Sequence, residues 1–216
     1  MAYRRTENMA RRLAAREEAI VAAATALAAA GGLAAIHVAA VAEHVNIATG
    51  TVYRYFPAKA DLVGEVVVGV AQREIEAMRK AANAAPGPLS ALAASIVTFA
   101  ARTLTERRLA WGILGEAVDA DIESARLAFR GLIAAEIAGG IRAAAAGTHF
   151  PDIDAAMAAA AIVGILTECL LGPLASPVLD NAGRREIVQT ATLLALRAVG
   201  VVDARARGLI AQCPIP

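Results

Sequence analysis

Apolar side chains recur along most of the chain at the three- and four-residue spacing of α-helices. One predicted helix carries large apolar residues at four-residue steps, at Phe129, Ile133, Ile137 and Ile141. This spacing places them on one face, which is typical of a helix that packs against a core. Alternating β-branched runs of the kind that predict strands are missing from the sequence. The pattern therefore predicts an all-α fold.

Glycine and proline clusters divide this helical pattern into segments. Nine helices are predicted, at 8–30, 38–44, 48–56, 58–84, 89–107, a short segment that holds Trp111 and ends at Gly115, 122–146, 152–171 and 184–199. In the first of them, Leu13 is expected to share an apolar stripe with Ile20 and Leu27. We expect three units: a three-helix front end at 1–57, a helical body at 58–201 and a C-terminal tail at 202–216.

Charge is nearly balanced over the 216 residues, with a formal net charge of +1, but it is unevenly placed. Residues 1–16 hold five arginines against one glutamate, whereas 63–216 hold fourteen basic against fifteen acidic residues. Two cysteines give neither a disulfide framework nor a metal-ligand spacing. A small cationic front end thus precedes a near-neutral body.

The longest weakly charged segment, 155–178, is not expected to span a membrane. Glu168 would lie inside the span, and Gly172 followed by Pro173 would break the helix. No signal peptide is predicted. The apolar segment that follows the basic region of a signal peptide is missing here, because Glu17 and Glu18 interrupt the sequence. We expect a cytoplasmic protein with no membrane partner.

A sharp turn between the two short helices is predicted at Asn46, because asparagine tolerates the left-handed conformation. On the helix that follows, Val52 and Phe56 stand four residues apart and are expected to point inward. The helical step of about 100° per residue then directs Gly50 and Arg54 outward. A small, cationic face suits the major groove of DNA, where arginine binds guanine or phosphate.

The segment VAEHVNIATGTVYRYFPAKADL, residues 41–62, resembles the signature of the TetR family of bacterial transcriptional regulators. That signature ends in the form G-T-[LV]-Y-x-[YH]-F-x-x-K-x-x-L, which this sequence matches from Gly50 to Leu62. The resemblance implies a three-helix DNA-binding domain and a body that binds a small effector. It also implies a homodimer that binds a palindromic operator, with no cofactor.

By position, the resemblance implies three groups of DNA contacts: Thr49, Gly50, Thr51 and Arg54 at base edges or the groove floor; Tyr53, Tyr55 and Lys59 at phosphates; and an N-terminal arm with Arg4, Arg5, Arg11 and Arg12. The family often has threonine or serine at the start of its second helix, glycine at the turn, and serine before the recognition helix and before the lysine. Here those positions hold Ile36 and His37, Asn46, Ala48 and Ala58, and Thr49 could cap in place of Ala48. Each lost cap removes about 0.5–2 kcal/mol of local helix stability, so we expect weaker or more mobile DNA binding.

The body is expected to enclose the effector pocket and to form the dimer interface. The pocket candidates are Trp111, Phe99, Phe129 and Met78, with Glu116, Arg126 and Arg130 as polar anchors. The interface candidates are Met157, Ala161, Gly164, Glu168 and Leu171 on one helix and Ile187, Ala191, Leu194, Ala195 and Ala198 on the last. The alternative is that these two faces pack inside one monomer. We expect an apolar or amphipathic effector that releases a repressor from DNA.

Two other classes of function stay open from the sequence. An enzyme would find its best material in His149, Asp152 and Asp154, but the two aspartates are expected to cap a helix. The other is a protein of this fold that no longer binds an operator and acts through partners. The intact signature from Gly50 to Lys59 argues against that reading.

Overall fold

A computed structural model describes residues 2–116, 120–147, 153–177 and 180–215, with side chains described from Met9 onward except at positions 121 and 147. This described part holds ten α-helices and one short 3-10 turn and no strand. The helices are α1 (Ala2–Gly31), α2 (Val38–His44), α3 (Thr49–Tyr55), α4 (Lys59–Asn83), α5 (Pro88–Thr105), α6 (Arg107–Leu114), α7 (Ala120–Gly147), α8 (Ala155–Leu170), α9 (Asn181–Ala198) and α10 (Asp203–Gln212), with the 3-10 turn at Leu33–Ala35. The all-α prediction is confirmed.

The front end consists of α1, α2 and α3, and it packs on the body through α4 and α6. Gly32 ends α1 at a φ of 82°, a left-handed conformation that glycine adopts without a steric penalty. Helices as short as α2 and α3, seven residues each, are not stable alone, so packing must hold them.

The body is a bundle in which α5 lies at the centre. Helix α4 packs mainly on α5 and α7, and α8 packs between α7 and α9. Leu92, Ile96 and Phe99 on α5 are buried, as their spacing predicts. Helix α5 is also the one described helix long and apolar enough to span a membrane, and two-thirds of it is buried inside the bundle.

The tenth helix corrects the predicted count of nine. Helix α10 lies in the segment expected to be a tail, and it packs on α9 and α5. Ala206 and Ile210 are buried there, one helical turn apart. Asp203 forms ion pairs with Arg207 at 2.8 Å and with Arg197 at 3.5 Å, which joins the start of α10 to the end of α9.

Helix α1 is longer than predicted, and the expected position of Leu13 in its apolar stripe is wrong. Ile20 is fully buried and Leu27 is partly buried, but Leu13 is 49% exposed. Every described side chain from Met9 to Ala19 is exposed. Periodicity gives the face of a helix but not the point at which the core beside it ends.

Candidate DNA interface and effector cavity

The turn between α2 and α3 has the predicted left-handed residue. Asn46 has a φ of 53°, the one positive value at a non-glycine residue in the described part of the chain. The Asn46 and Ile47 amides donate to the carbonyl oxygens of Glu43, at 3.1 Å, and Ala42, at 2.9 Å. These hydrogen bonds end α2 and fix the turn from which α3 starts in a new direction.

Helix α3 has one buried face and one exposed face, as its spacing predicts. Val52 is fully buried and Phe56 is 4% exposed, so these two side chains anchor the helix in the core. On the other face Gly50 and Arg54 are exposed, and no atom lies within 4 Å of a Cβ built on Gly50. The backbone at Gly50 is therefore open to close approach by a ligand as large as a base pair.

Other predicted contact residues surround this exposed face. Thr49 and Tyr53 are exposed, whereas Thr51, Tyr55 and Lys59 are half-buried. Arg4 and Arg5 belong to the helical backbone of α1, but their side chains lie outside the described residues. The described hydroxyl, ammonium and guanidinium groups form a set of hydrogen-bond donors suited to phosphate oxygens.

The three helix starts in this region differ in how they are capped. His37 before α2 and Ala48 before α3 provide no side-chain cap. Ala58 has no acceptor either, but the carboxylate of Asp61 accepts its backbone N–H at 2.8 Å. Asp61 therefore supplies one half of a capping box at α4. The signal for it in the sequence is an acidic residue three positions after the cap, and Asp61 was not among the predicted residues.

The predicted effector pocket is nearly closed. Phe99 and Phe129 line one small cavity of about 20 Å³ between α4, α5, α6 and α7. A cavity of this size has room for about one water molecule. Its polar side is a bidentate ion pair in which Arg102 on α5 donates to both oxygens of Glu74 on α4, at 2.7 and 2.8 Å. The hydrogen bond that Arg102 donates to Glu74 raises the pKa of Arg102 above its ordinary value.

The other described pocket candidates lie elsewhere. Met78 is fully buried in the core, and the ring of Trp111 covers Gly115 at the end of α6. Arg126 is buried and donates to the Ile113 carbonyl oxygen at 3.0 Å and to Glu123 at 2.7 Å. The guanidinium of Arg126 is thus used in contacts within the chain.

Glu116 joins the body to the front end. Its carboxylate accepts the backbone N–H of Leu33 at 3.2 Å, in the 3-10 turn that follows α1. A Cβ at Gly112 on α6 would lie 3.0 Å from the same backbone nitrogen. Helix α6 therefore touches the front end closely, next to the cavity-lining Ile113.

The predicted interface candidates lie mostly on the surface. On α8, Met157, Ala161 and Glu168 are exposed and Gly164 is half-buried. On α9, Leu194 and Ala198 are exposed and Ile187 is half-buried, whereas Ala191 and Ala195 are buried within the chain. Leu171, just after α8, is also buried. The two helices pack against each other.

The residues considered for an enzyme are only partly described. Asp154 caps α8 as predicted, because its carboxylate accepts the amides of Ala156 at 2.9 Å and Met157 at 3.2 Å. His149 and Asp152 lie outside the described residues. In the described part, no group of three or more metal-ligating side chains is brought together.

Comparison with known proteins finds similarity in the front end. Residues 20–66 match the sequence profile of the bacterial regulatory proteins of the tetR family. A segment of 72 residues is 40% identical to the HTH-type transcriptional repressor KstR of Rhodococcus jostii (strain RHA1). That match spans 33% of this chain and 32% of KstR.

Solved structures share the fold over nearly the whole chain. The crystal structure of RolR in complex with the ligand resorcinol matches 96% of this chain and 98% of its own, at 21% identity and a TM-score of 0.71. RolR without ligand matches 92% of this chain and 98% of its own, at 21% identity and a TM-score of 0.69. A tetR-family protein from Syntrophomonas wolfei matches 87% of this chain and 96% of its own, at 15% identity and a TM-score of 0.69.

Proposed function

We propose, from the match of residues 20–66 to the profile of the tetR family of bacterial regulatory proteins, that the chain is a sequence-specific, DNA-binding transcriptional repressor of that family. The observation that carries the proposal is the division of α3 into a face anchored by Val52 and Phe56 and an exposed face with Gly50 and Arg54. A regulator of this kind acts on DNA in the cytoplasm and needs no catalytic group.

In this proposal α3 enters the major groove and the donors around it bind the flanking backbone. Thr49, Gly50, Thr51 and Arg54 contact base edges or the groove floor, while Tyr53, Tyr55 and Lys59 contact phosphates. The domain bounds are 1–57 for the reading domain and 58–201 for the body. Helix α10 extends the body into 202–216.

Fluorescence anisotropy tests this function on labelled DNA from upstream of the protein's own gene, beside a shuffled fragment. We expect preferential binding to the native fragment. Replacing Arg54 with glutamine should relax that preference, because a bidentate arginine contact discriminates between bases by about 1–3 kcal/mol. Arg142→Gln, an exposed change on α7, is the matched control. If Arg54→Gln keeps the same preference for the native fragment as its control, α3 is not the reading element.

The proposed regulator is a homodimer, since one reading domain covers only half of an operator and a two-fold axis supplies the second half. Met157, Ala161, Gly164 and Glu168 on α8, with Ile187, Leu194 and Ala198 on α9, are proposed to face the partner. Small residues there let the backbones of paired helices approach closely. A palindromic operator follows from the two-fold symmetry.

Gly164 offers a clean test of the dimer, because no atom of its own chain lies within 4 Å of a Cβ built there. Gly164→Phe therefore disturbs a partner rather than the fold. Gly208→Phe on α10 is the matched control, since Gly208 is equally open. Sedimentation velocity should give a dimer for the control and a folded monomer for Gly164→Phe. A dimeric Gly164→Phe would contradict the proposed interface.

A small apolar or amphipathic effector is proposed to open the cavity between Phe99 and Phe129. Opening it separates α4 from α5 and strains the pair between Glu74 and Arg102. Helix α4 begins at Lys59 beside the recognition helix, so its movement changes the distance between the two reading domains of a dimer. The contact of Glu116 with Leu33 gives α6 a second route to the front end.

Trp111 reports on this step, because it is the single tryptophan and lies on α6. Candidate compounds are added to the complex with DNA while Trp111 emission and anisotropy are followed together. Resorcinol is the first compound, since RolR holds it. An effector should change both signals at the same concentration. A compound that saturates Trp111 without releasing DNA would contradict the proposed coupling.

A further inference from the structure

Thr103 on α5 is a buried polar side chain that lines the body cavity. It is 5% exposed and follows Phe99 by four residues, so the two side chains share one face of the helix. Its hydroxyl forms no hydrogen bond with any described residue of the chain. Thr192 on α9 is likewise unpaired, but it does not line this cavity. A buried hydroxyl without a partner costs free energy, so Thr103 calls for an explanation.

Other threonines in the helices of this chain pair their hydroxyls locally. Thr25, Thr105 and Thr167 each donate to the carbonyl oxygen four residues earlier, at 2.8, 3.0 and 2.8 Å. This is the usual hydrogen bond of a threonine inside a helix. Thr103 does not form it with the carbonyl oxygen of Phe99. Its hydroxyl is therefore available to a molecule that enters the cavity.

The charged side chains of the cavity are already paired. Arg102 donates through Nε and one terminal nitrogen to the two carboxylate oxygens of Glu74. Glu106, which also lines the cavity, forms an ion pair with Arg73 at 3.6 Å. An ion that entered would lose its hydration without meeting an unpaired opposite charge among these side chains, and that loss is costly. The cavity therefore favours an uncharged ligand.

The remaining lining of the cavity is mostly apolar and includes two aromatic rings, Phe99 and Phe129. The aliphatic side chains there are Val70, Leu109, Ala110, Ile113 and Leu114. Aromatic rings pack well against one another in offset or edge-to-face arrangements. A ligand with one ring and one hydroxyl group would thus match both the rings and the unpaired group of Thr103.

We propose that Thr103 is the hydrogen-bonding residue for the effector, and that the effector is an uncharged aromatic molecule with a hydroxyl group. The inference rests on the proposed function and narrows the effector to this class. A threonine hydroxyl both donates and accepts, so it pairs with the hydroxyl of a phenol in either direction. Benzene gains nothing from Thr103, and benzoate brings a charge that the cavity does not balance.

The first test measures ligand binding by isothermal titration calorimetry, without DNA, in Phe129→Ala and in Phe129→Ala/Thr103→Val. The enlarged apolar cavity should bind benzene equally in both variants. Phenol should bind to Phe129→Ala but at least about tenfold more weakly to the double variant, because its hydroxyl is then buried without a partner. Equal phenol affinities would overturn the role of Thr103. Benzoate that binds as tightly as phenol would overturn the uncharged class.

Two further variants control for the change of shape at position 103. Phe129→Ala/Thr103→Ser keeps a hydroxyl and should retain phenol binding. Phe129→Ala/Thr98→Val makes the same threonine-to-valine change on α5 at a residue that does not line this cavity, and it should also bind phenol. A loss of phenol binding in the Thr98 variant as large as in the Thr103 variant would mean a general effect on α5 and would overturn the proposal.

A second measurement decides the matter if the enlarged cavity collapses and binds neither compound. Thr167 is 6% exposed, as buried as Thr103, and its hydroxyl is paired. Thr167→Val should lower the melting temperature by about 2–4 °C, because it removes a hydrogen bond. Thr103→Val should not lower it, since no hydrogen bond is lost and valine has a similar helix propensity. Equal decreases would show that Thr103 is already paired, which would overturn the proposal.

Both measurements are made without DNA, so the inference and the proposed function can fail separately. Phenol binding through Thr103 in a protein that does not bind DNA would refute the proposed function and leave the ligand site in place. Sequence-specific DNA binding together with phenol binding that ignores Thr103 would refute this inference alone.

Discussion

The recognition helix α3 and the cavity in the body differ in how much space they leave for a ligand. Helix α3 exposes Gly50 and Arg54 and rests on two buried side chains. The cavity between Phe99 and Phe129 has only about 20 Å³. In one and the same state, the proposed surface for DNA is formed and the proposed site for an effector is closed. This difference favours a ligand-free form that binds DNA and an effector that must open the body.

The two regions also differ in what stabilises them. Neither α2 nor α3 has a side-chain cap, so the reading domain depends on a few buried contacts such as Phe56. The body has apolar contacts along its long helices and ion pairs that join α4 to α5 and to α7. Single substitutions in one region should therefore impair DNA binding, and single substitutions in the other should loosen the packing of the body.

The largest effect is expected for Phe56→Ala. Removing a buried phenylalanine costs about 3–5 kcal/mol, and here it also frees the end of α3. Stability falls and DNA binding is lost, as measured by urea unfolding and anisotropy. Val68→Ala, at an exposed position on α4, is the control and should change stability by less than about 1 kcal/mol. If Phe56→Ala still binds DNA, the reading domain does not depend on this buried contact.

Phe129→Ala should destabilise the protein by a similar amount, about 3–5 kcal/mol, but should leave DNA binding in place. It enlarges an apolar cavity, and such cavities bind small aromatic molecules. Benzene should raise the melting temperature of this variant and not that of the wild type. The control is Leu127→Ala, because Leu127 is 57% exposed on the same helix. No response to benzene would mean that the body collapses into the space.

Arg102→Gln should have a smaller effect, about 1–3 kcal/mol, because it leaves the buried carboxylate of Glu74 without its partner. The double variant Glu74→Gln/Arg102→Gln should recover part of that loss, since no buried charge is then unpaired. Urea unfolding of the four proteins gives the coupling energy of the pair. Additive losses would show that this ion pair does not hold α4 against α5.

Ala48→Ser should have the smallest effect. A serine cap stabilises α3 by about 1 kcal/mol, and a better-ordered α3 should bind DNA a few-fold more tightly. Ala143→Ser, at an exposed position within α7, is the control for an alanine-to-serine change that adds no helix cap. Unchanged affinity at position 48 would mean that packing already orders the helix.

Local features of the sequence were the ones that predicted structure well. The turn at Asn46 and the two faces of α3 follow from conformational preference and helical period, and both act within a few residues. Helix α10 was missed, although Ala206 and Ile210 carry the helical spacing, because small residues near a terminus resemble a tail. Only Phe99 and Phe129 of the predicted pocket candidates line the cavity. The packing of four helices that are distant in sequence determines which aromatic rings meet.

The most direct test of the account is DNA binding by protein freed of ligand through unfolding and refolding. Its dissociation constants for the native upstream fragment and a shuffled fragment are measured across a salt series. The account predicts that the ligand-free protein prefers the native fragment by at least about 10³-fold, with a steep loss of affinity as salt rises. Equal, weak binding to both fragments would contradict a preformed reading surface.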